Sequence, residues 1–191
     1  MREENEFWKV CEALDCEKRI ELLRYLIEAE QTEFLCVNEL AEKFAVSSAA
    51  MSVHLKKLAT AGLVVSKRSE GRVYYRAFAS TEDGERVVAV MREFFASNPG
   101  RERVWRFLEY AHALSHARRN AIVRCLERCP GLSVRELADR IGMPPHTADR
   151  LCGVLNKARI VDLNGRVIPP AFEPESTLLT LTLRRGSPTF N

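Results

Sequence analysis

The sequence predicts a mainly α-helical chain that carries small β-hairpins and repeats one structural pattern. The segment ALDCEKRIELLRYL (13–26) recurs as ALSHARRNAIVRCL after 100 residues, and ELA (39–41) recurs after 97 residues. GRV (71–73) also recurs, after a shorter interval. A register that holds over three segments indicates a tandem duplication. Because each copy has the order helix, short helix, turn, helix and hairpin, the predicted fold is a tandem winged helix-turn-helix.

In the first copy, the elements follow from the spacing of the apolar residues. Two buried stripes at helical spacing predict the first and third helices: Ile20, Leu23 and Ile27, then Met51, Leu55 and Leu58. Between them, VNELAEKF predicts a short helix, and AVSS predicts a turn with Ser47 as the N-cap of the third helix. Gly62 ends that helix, and LVVSKR and RVYYRAF predict two strands joined at SEG.

The second copy repeats these elements with a clipped hairpin. The predicted elements are a helix near 114–129, the short helix SVRELADRI, a turn at GMPP, the helix HTADRLCGVLNKA and a hairpin around Asn164-Gly165. TEDGERVVAVMREFFAS and RERVWRFLEYAHAL predict further helices between the copies, and NPG (98–100) marks a boundary. The tail STLLTLTLRR alternates apolar and polar residues, which predicts a strand. The predicted domains are 1–97, with the helix after the hairpin, and 101–191, with the strand tail.

Composition and motif content argue against membrane, exported and enzymatic classes of protein. The chain has 191 residues, 46% of them hydrophobic and 29% charged, as in soluble globular proteins. It contains neither an apolar run of the roughly 18–20 residues that span a bilayer nor a signal-peptide core behind MREENEF, so we expect a cytoplasmic protein without a membrane partner. The sequence has no Gly-rich phosphate loop and no HExxH motif, which predicts that the protein is not an enzyme.

Positive charge is concentrated in one part of the first copy. Residues 1–97 contain 14 Lys and Arg against 17 Asp and Glu. Within this acidic half, the segment 47–76 has Glu70 as its one acidic residue and six basic ones: Lys56, Lys57, Lys67, Arg68, Arg72 and Arg76. Such an island is typical of a surface that contacts phosphates.

The third helix of the first copy has a face suited to a DNA groove. If its apolar stripe is buried, the opposite face carries small residues and donors, with Lys57 beside them: Ala49, Ser52, Val53, Lys56 and Thr60. Small residues let a helix approach a groove closely, and Ser and Lys offer donors to phosphates or base edges. His54 lies at the edge of the apolar stripe, where we expect a partly buried structural histidine whose hydrogen bonds are satisfied.

The first copy resembles the ArsR-type winged-helix repressors in ALDCEKRIELLRYL, LCVNELAEKFAVSSAAMSVHLKKLATAGLV and SKRSEGRVYYRAF, over roughly 10–78. The resemblance implies a DNA-binding transcriptional regulator, of the repressor class, that acts as a homodimer on a near-palindromic operator. It also implies that the helix at 48–61 enters the major groove and that the hairpin at 66–76 is a wing on the flanking backbone.

Residue by residue, the same resemblance places Ser47, Ser48, Ala49, Ser52 and Lys56 at the family's usual DNA-contact positions. Val53 departs from the pattern, because a polar or basic residue is common there, and this fits either weaker sequence discrimination or readout by DNA shape. With the basic island, the predicted DNA-binding residues are Ser47, Ser48, Ala49, Ser52, Val53, Lys56, Lys57, Arg68, Arg72 and Arg76.

The cysteines do not predict a metal site. Where many ArsR-type proteins have Cys-Val-Cys, this chain has Cys36-Val37-Asn38 and lacks the second thiolate. Cys11 and Cys16 lie upstream but do not share a helix face, and residues 81–97 contain neither His nor Cys. Cys125 and Cys129 share a face with His116 nearby in sequence, a weak indication by spacing alone. We therefore expect no metal and no cofactor, with the six cysteines reduced.

The second copy has lost much of the DNA-binding chemistry. The outward face of its third helix carries an acidic residue and a glycine among its members: His146, Asp149, Arg150, Gly153, Val154 and Lys157. This favours a dimerisation or partner-binding module over a degenerate DNA reader. The alternative function for the whole chain is a winged-helix protein–protein adaptor of a chromosome- or transcription-associated complex. Homodimer and intramolecular pseudo-dimer both remain open, with the homodimer favoured because the two outward faces differ.

Overall fold

The computed structural model describes residues 7–29, 34–171 and 173–184, which fall into two units. One unit is continuous, Cys16–Pro99, and we call it the inserted unit. The other combines described residues 7–15 with the described residues from Gly100 onward, and we call it the split unit. The chain thus enters the split unit, leaves it for the inserted unit, and returns.

The described elements, in chain order, are α1 (Trp8–Leu14), α2 (Glu17–Glu28), β1 (Leu35–Cys36), α3 (Val37–Lys43), α4 (Ser48–Thr60), β2 (Val64–Ser69), β3 (Arg72–Ala77), α5 (Glu82–Ala96), α6 (Arg101–Leu114), α7 (Ala117–Arg128), α8 (Val134–Ile141), α9 (Pro145–Lys157) and α10 (Glu175–Arg184). None of the helices in the described ranges is long and apolar enough to cross a membrane.

The inserted unit is a winged helix-turn-helix. Helices α2 and α4 bury apolar stripes, with Leu23, Leu55 and Leu58 completely inaccessible. The sheet has the order β1-β3-β2 and is antiparallel throughout. Strands β2 and β3 pair from Val64 with Ala77 to Ser69 with Arg72, so the wing turn consists of Glu70 and Gly71.

Helix α5 begins where two glycines permit close backbone contact. A Cβ atom on Gly84, in the first turn of α5, would lie 2.4 Å from the carbonyl oxygen of Gly62. The Thr81 side chain caps α5 by accepting a hydrogen bond from the Gly84 N–H at 3.0 Å. Gly62, at φ 73°, thus ends α4 in the left-handed conformation, and its carbonyl oxygen also contacts the first turn of α5.

The split unit repeats the helical part of this arrangement. Helices α8 and α9 pack against each other and against α7, and an isolated bridge between Val161 and Val167 stands where the first copy has a hairpin. Helix α1 packs against α6 and buries Phe7, Val10, Cys11 and Leu14. Helix α10 packs on α6 and α7.

The structure corrects two expectations. The tail predicted as a strand is helix α10, because its buried residues Leu178, Leu179, Leu181 and Thr182 follow helical spacing. The Thr182 hydroxyl donates to the Leu178 carbonyl at 2.8 Å, which satisfies it inside the helix. The domain assignment 1–97 was wrong for residues 7–15, which pack in the split unit because the apolar face of α1 is covered by α6.

Candidate nucleic-acid interface

Helix α4 presents the outward face that its sequence predicts. Met51, Leu55 and Leu58 are 2%, 0% and 0% exposed. On the opposite side Ala49 and Lys56 are exposed, Ser52 is half-buried, and Val53 is 55% exposed, a large apolar side chain in contact with solvent. The face therefore combines a flat apolar centre with a cation and a hydroxyl, and Lys57 is exposed beside it.

Two predicted contact residues also hold the start of α4. The Ser47 side chain accepts a hydrogen bond from the Ala50 N–H at 3.2 Å, which makes it the N-cap as predicted. The Ser48 hydroxyl donates to the Asn38 side-chain oxygen at 2.8 Å and ties α4 to α3. Both serines remain exposed, so these structural contacts do not remove them from the surface.

The wing divides its cations between two faces. In the β2–β3 register Lys67 pairs with Tyr74 and Ser69 pairs with Arg72, so Lys67 and Arg72 lie on one face. Arg68 pairs with Val73 and lies on the other face, which also carries the buried Tyr75. Arg68 and Arg72 are both exposed at the wing tip, but they point to opposite sides of the hairpin. Lys67 was counted in the basic island but not among the predicted contact residues.

Arg76 has a structural environment at the base of the wing. Its guanidinium lies 4.7 Å from the ring centre of Phe34 and 5.0 Å from that of Phe78. Lys67 Nζ lies over the same Phe34 ring at 4.3 Å. These cation–π contacts hold a half-buried Arg76 between two aromatic rings. Phe34 and Phe78 were missed by sequence reasoning; Phe78 follows Arg76 by two residues at the end of a strand, but Phe34 has no basic residue beside it in the sequence.

His54 is partly buried, as expected, but its hydrogen bonding is incomplete. The Nδ1 atom has no hydrogen-bond partner within the described ranges. Burial lowers the pKa of His54, and the nearby charges of Arg19, Lys18 and Lys57 lower it further. The side chain is therefore neutral at pH 7 and adds no charge to the face of α4.

The cysteines considered as metal ligands are engaged locally. Cys36 is the buried N-cap residue of α3, and its backbone N–H donates to the Glu39 carboxylate at 3.1 Å. Cys129 Sγ accepts from Arg140, while burial raises the pKa of the Cys125 thiol. Among residues 7–29, 34–171 and 173–184, no group of three or more His, Cys, Asp or Glu side chains is arranged to hold a metal ion.

The corresponding face of the second copy differs in charge and shape. Asp149 and Gly153 are exposed on α9, where a carboxylate would repel DNA phosphates. Beside α9 is a groove of about 440 Å³, whose rim includes Leu132 and Leu163. Leu163 is 92% exposed and stands where the first copy has its wing. This face combines apolar side chains with charges of both signs, since Arg150 lines the groove beside Asp149.

Comparison with known families identifies both copies. Residues 16–66 match the family model described as bacterial regulatory protein, arsR family, and residues 117–164 match the IclR helix-turn-helix domain. The predicted tandem winged helix-turn-helix fold and the ArsR-type resemblance of the first copy are confirmed. An IclR-type second copy was not predicted. Two DNA-binding helix-turn-helix domains support a DNA-binding transcription regulator. No curated protein and no solved structure matches the chain significantly.

Proposed function

We propose that this chain, an ArsR-family helix-turn-helix domain followed by an IclR-type one, is a transcriptional repressor that binds operator DNA through the inserted unit. Helix α4 enters the major groove, and the wing lies on the flanking backbone. The observation that carries the proposal is the outward face of α4, where exposed Ala49, Val53 and Lys56 oppose a fully buried stripe. A helix face that contacts only water is typically polar or charged, whereas this face has an exposed valine at its centre.

The proposal gives each group of residues a role. Ala49 and Val53 allow α4 to fit closely into the groove and offer methyl contacts to thymine, while Ser52 and Lys56 donate hydrogen bonds. Lys57, Lys67 and Arg72 hold phosphates. Arg68, on the other face of the wing, contributes through its charge near the tip. Arg76 orients the base of the wing through Phe34 and Phe78. Among the predicted contact residues, it contributes least to direct contact with DNA.

The test is binding to genomic DNA fragments over a salt series, with wild type compared with Lys56→Ala/Arg72→Ala. We expect steep salt dependence for the wild type, and a slope of log K against log salt reduced by about 1 for each phosphate contact removed. The control is Arg86→Ala/Arg92→Ala, which removes two exposed cations from α5 of the same unit. Equal losses in the two variants would show a general charge effect and refute the assigned surface.

We propose further that the DNA-bound species is a homodimer. The outward faces of α4 and α9 differ in charge, so two α4 helices from two chains match a palindrome better than α4 and α9 of one chain. Sedimentation of the protein with an isolated operator fragment tests this. A complex with one chain per operator would favour the intramolecular pseudo-dimer instead.

A protein-partner role of the second copy is a second candidate, favoured by the exposure of Leu163 on its apolar groove. The change that tests it is Leu163→Ser. Under this candidate the substitution leaves DNA affinity unchanged and abolishes association with a partner or a second chain. A loss of DNA affinity with unchanged association would place Leu163 at the DNA instead.

A further inference from the structure

The split unit contains a second cavity, of about 470 Å³, that none of the DNA-contact assignments uses. It is formed by α6, the C-terminal end of α9, the segment 168–171 and the start of α10. Its volume falls within the range of sites that hold small organic molecules. All of its lining residues belong to the split unit.

The lining of this cavity combines charged side chains with apolar ones. Four basic side chains and two acidic ones line it: Arg103, Arg106, Lys157, Arg159, Glu109 and Glu175. Arg103 is bound by Glu175 in a two-pronged ion pair, at 2.7 and 3.0 Å, and this neutralises one charge of each sign. Arg106 pairs with the exposed Glu102 at 2.7 Å. Lys157 and Arg159 form no ion pair with another described residue, so their charges are available to an anion.

Tyr110 adds an unused donor to the same cavity. The side chain lines the cavity and is only 5% exposed. Its hydroxyl nevertheless has no hydrogen-bond partner among the residues that the structure describes. A buried hydroxyl without a partner costs free energy, and it can recover that cost by donating to the acceptor atom of a ligand whose binding opens a path to it.

Arg159 occupies a backbone position that disfavours it. Its φ is 56°, in the left-handed region, directly after the C-cap of α9. The equivalent position of the first copy, 97 residues earlier, is Gly62 at φ 73°, the residue type that this conformation favours. The second copy therefore places a long cation at the rim of the cavity in spite of the backbone cost, as proteins do where a side chain is needed for binding.

We propose that this cavity binds a small organic anion, a carboxylate or phosphate attached to an apolar body. Lys157 and Arg159 hold the anionic group, Tyr110 donates a hydrogen bond to it, and the apolar body packs against Ile168 and the prolines that follow. The lining favours an organic anion over an inorganic one because the segment 168–171 contributes apolar side chains beside the cations, where Ile168 N–H donates to the Ile160 carbonyl at 2.8 Å.

The experiment uses the full-length chain and anilinonaphthalene sulfonate, an amphipathic anion that fluoresces in apolar sites. We expect saturable binding to the wild type and a loss of about tenfold or more in affinity in Lys157→Ala/Arg159→Gly, whose glycine suits the backbone. Tyr110→Phe should lower affinity severalfold without lowering thermal stability, since it removes an unpartnered hydroxyl. The control Arg101→Ala/Arg118→Ala removes two exposed cations of the same unit outside the cavity and should bind as wild type does.

Displacement of the bound probe by competing anions distinguishes the possible ligands. Phenyl phosphate should displace the probe at lower concentration than inorganic phosphate. Equal competition by the two would overturn the organic-anion proposal. Displacement by duplex DNA, with a matching loss of DNA affinity in Lys157→Ala/Arg159→Gly, would assign these cations to DNA and overturn it as well. Absence of saturable binding to the wild type, or unchanged binding in both cavity variants, would also refute it.

Discussion

At the residue scale, the two copies place different amino acids at equivalent left-handed positions. Ala45, in the turn before α4, has φ 50°, and Gly142, 97 residues later in the second copy, has φ 66°. An L-residue with a Cβ pays a conformational cost of roughly 1–2 kcal/mol in this region, whereas glycine does not. The first copy therefore carries strain in the turn of its helix-turn-helix that the second copy avoids.

We predict that Ala45→Gly stabilises the inserted unit. The relief of the left-handed backbone should outweigh the greater flexibility of glycine in the unfolded chain, for a net gain of about 0.5–1 kcal/mol in the free energy of unfolding. Denaturant unfolding of the full chain measures this gain. The matched control is Ala59→Gly inside α4, which should destabilise by about 0.5–1 kcal/mol. Loss of stability in both variants would show that Ala45 is not strained.

A second prediction at this scale concerns His116, the N-cap residue of α7. Its Nδ1 accepts a hydrogen bond from the Arg118 N–H at 3.1 Å, which requires the neutral ring. Burial lowers the pKa of His116, as do the charges of Arg119, Arg118 and Arg150. In the unfolded chain the histidine takes up a proton near pH 6.5, while the folded form takes it up at lower pH. Acidification below about pH 6.5 therefore favours unfolding.

We expect the free energy of unfolding of the split unit to fall between pH 7.5 and 5.5, and His116→Asn to reduce this dependence. Asparagine keeps an N-cap acceptor but does not titrate. Denaturant titrations at the two pH values provide the measurement. His54, whose pKa is also lowered, contributes in the same direction to the inserted unit, so His54→Gln serves as the comparison. An unchanged pH dependence in His116→Asn would remove His116 as the cause.

At the element scale, the wing turn combines a favourable and an unfavourable residue. Glu70 and Gly71 both have positive φ, 50° and 74°, as the two-residue turns of tight hairpins require. Glycine suits this geometry, but Glu70 does not, and asparagine is the preferred residue before such a glycine. Glu70 is also the acidic residue at the tip of a basic wing, where it faces the phosphates in the proposed complex.

We therefore predict that Glu70→Asn both stabilises the wing and strengthens DNA binding. The turn should gain about 0.5–1 kcal/mol, and loss of one negative charge should raise DNA affinity most at low salt. The matched variant is Glu70→Gln, which removes the charge without improving the turn. Equal stability in the two variants would refute the turn argument, and unchanged DNA affinity in both would place the wing tip away from phosphates.

The elements also show how much of the structure can be predicted from the sequence. The stripe Met51, Leu55 and Leu58 predicted α4 and its buried face, and the N-cap Ser47 was identified from residue type and position alone. The tail was misassigned because its threonines alternate with leucines, a pattern typical of a strand. Leu179 breaks this alternation, and the Thr182 hydroxyl is buried because it donates to the Leu178 carbonyl within the helix. Arg76 was assigned to DNA because charge is visible in a sequence, but its packing between Phe34 and Phe78 depends on strand pairing. Whether the exposed residues contact DNA stays a prediction.

At the scale of the whole molecule, the repeat in the sequence does not coincide with the units of the structure. Helices α1 and α6 precede the first and second copies at equivalent positions, since Leu14 and Leu114 end them 100 residues apart. In the structure these two helices pack against each other within the split unit. Local patterns predict an element and its buried face, but the partner of that face is a property of the folded chain.

This arrangement predicts an asymmetric response to removal of the N-terminal residues. The fragment 16–99 should fold with about the same stability as the fragment 1–99, because α1 does not belong to the inserted unit. Deletion of residues 1–15 from the full chain should instead destabilise the split unit by about 5 kcal/mol or more, since Phe7, Val10, Cys11 and Leu14 leave its core. Circular dichroism and denaturant unfolding of the two fragments, the truncated chain and the full chain measure this. A fragment 16–99 that is unfolded would contradict the division into units.

The insertion of one continuous unit between the two segments of the split unit has a mechanical consequence. A tension applied between residue 7 and residue 184 acts first on the split unit, because both attachment points belong to it. The inserted unit carries no load until α1 has separated from α6, after which the force reaches residues 16 and 99. In an optical trap the two ruptures should therefore occur in a fixed order, the outer one first. The inserted unit would keep its fold while the split unit opens, and a reversed or random order would show that the two units do not share the load in this way.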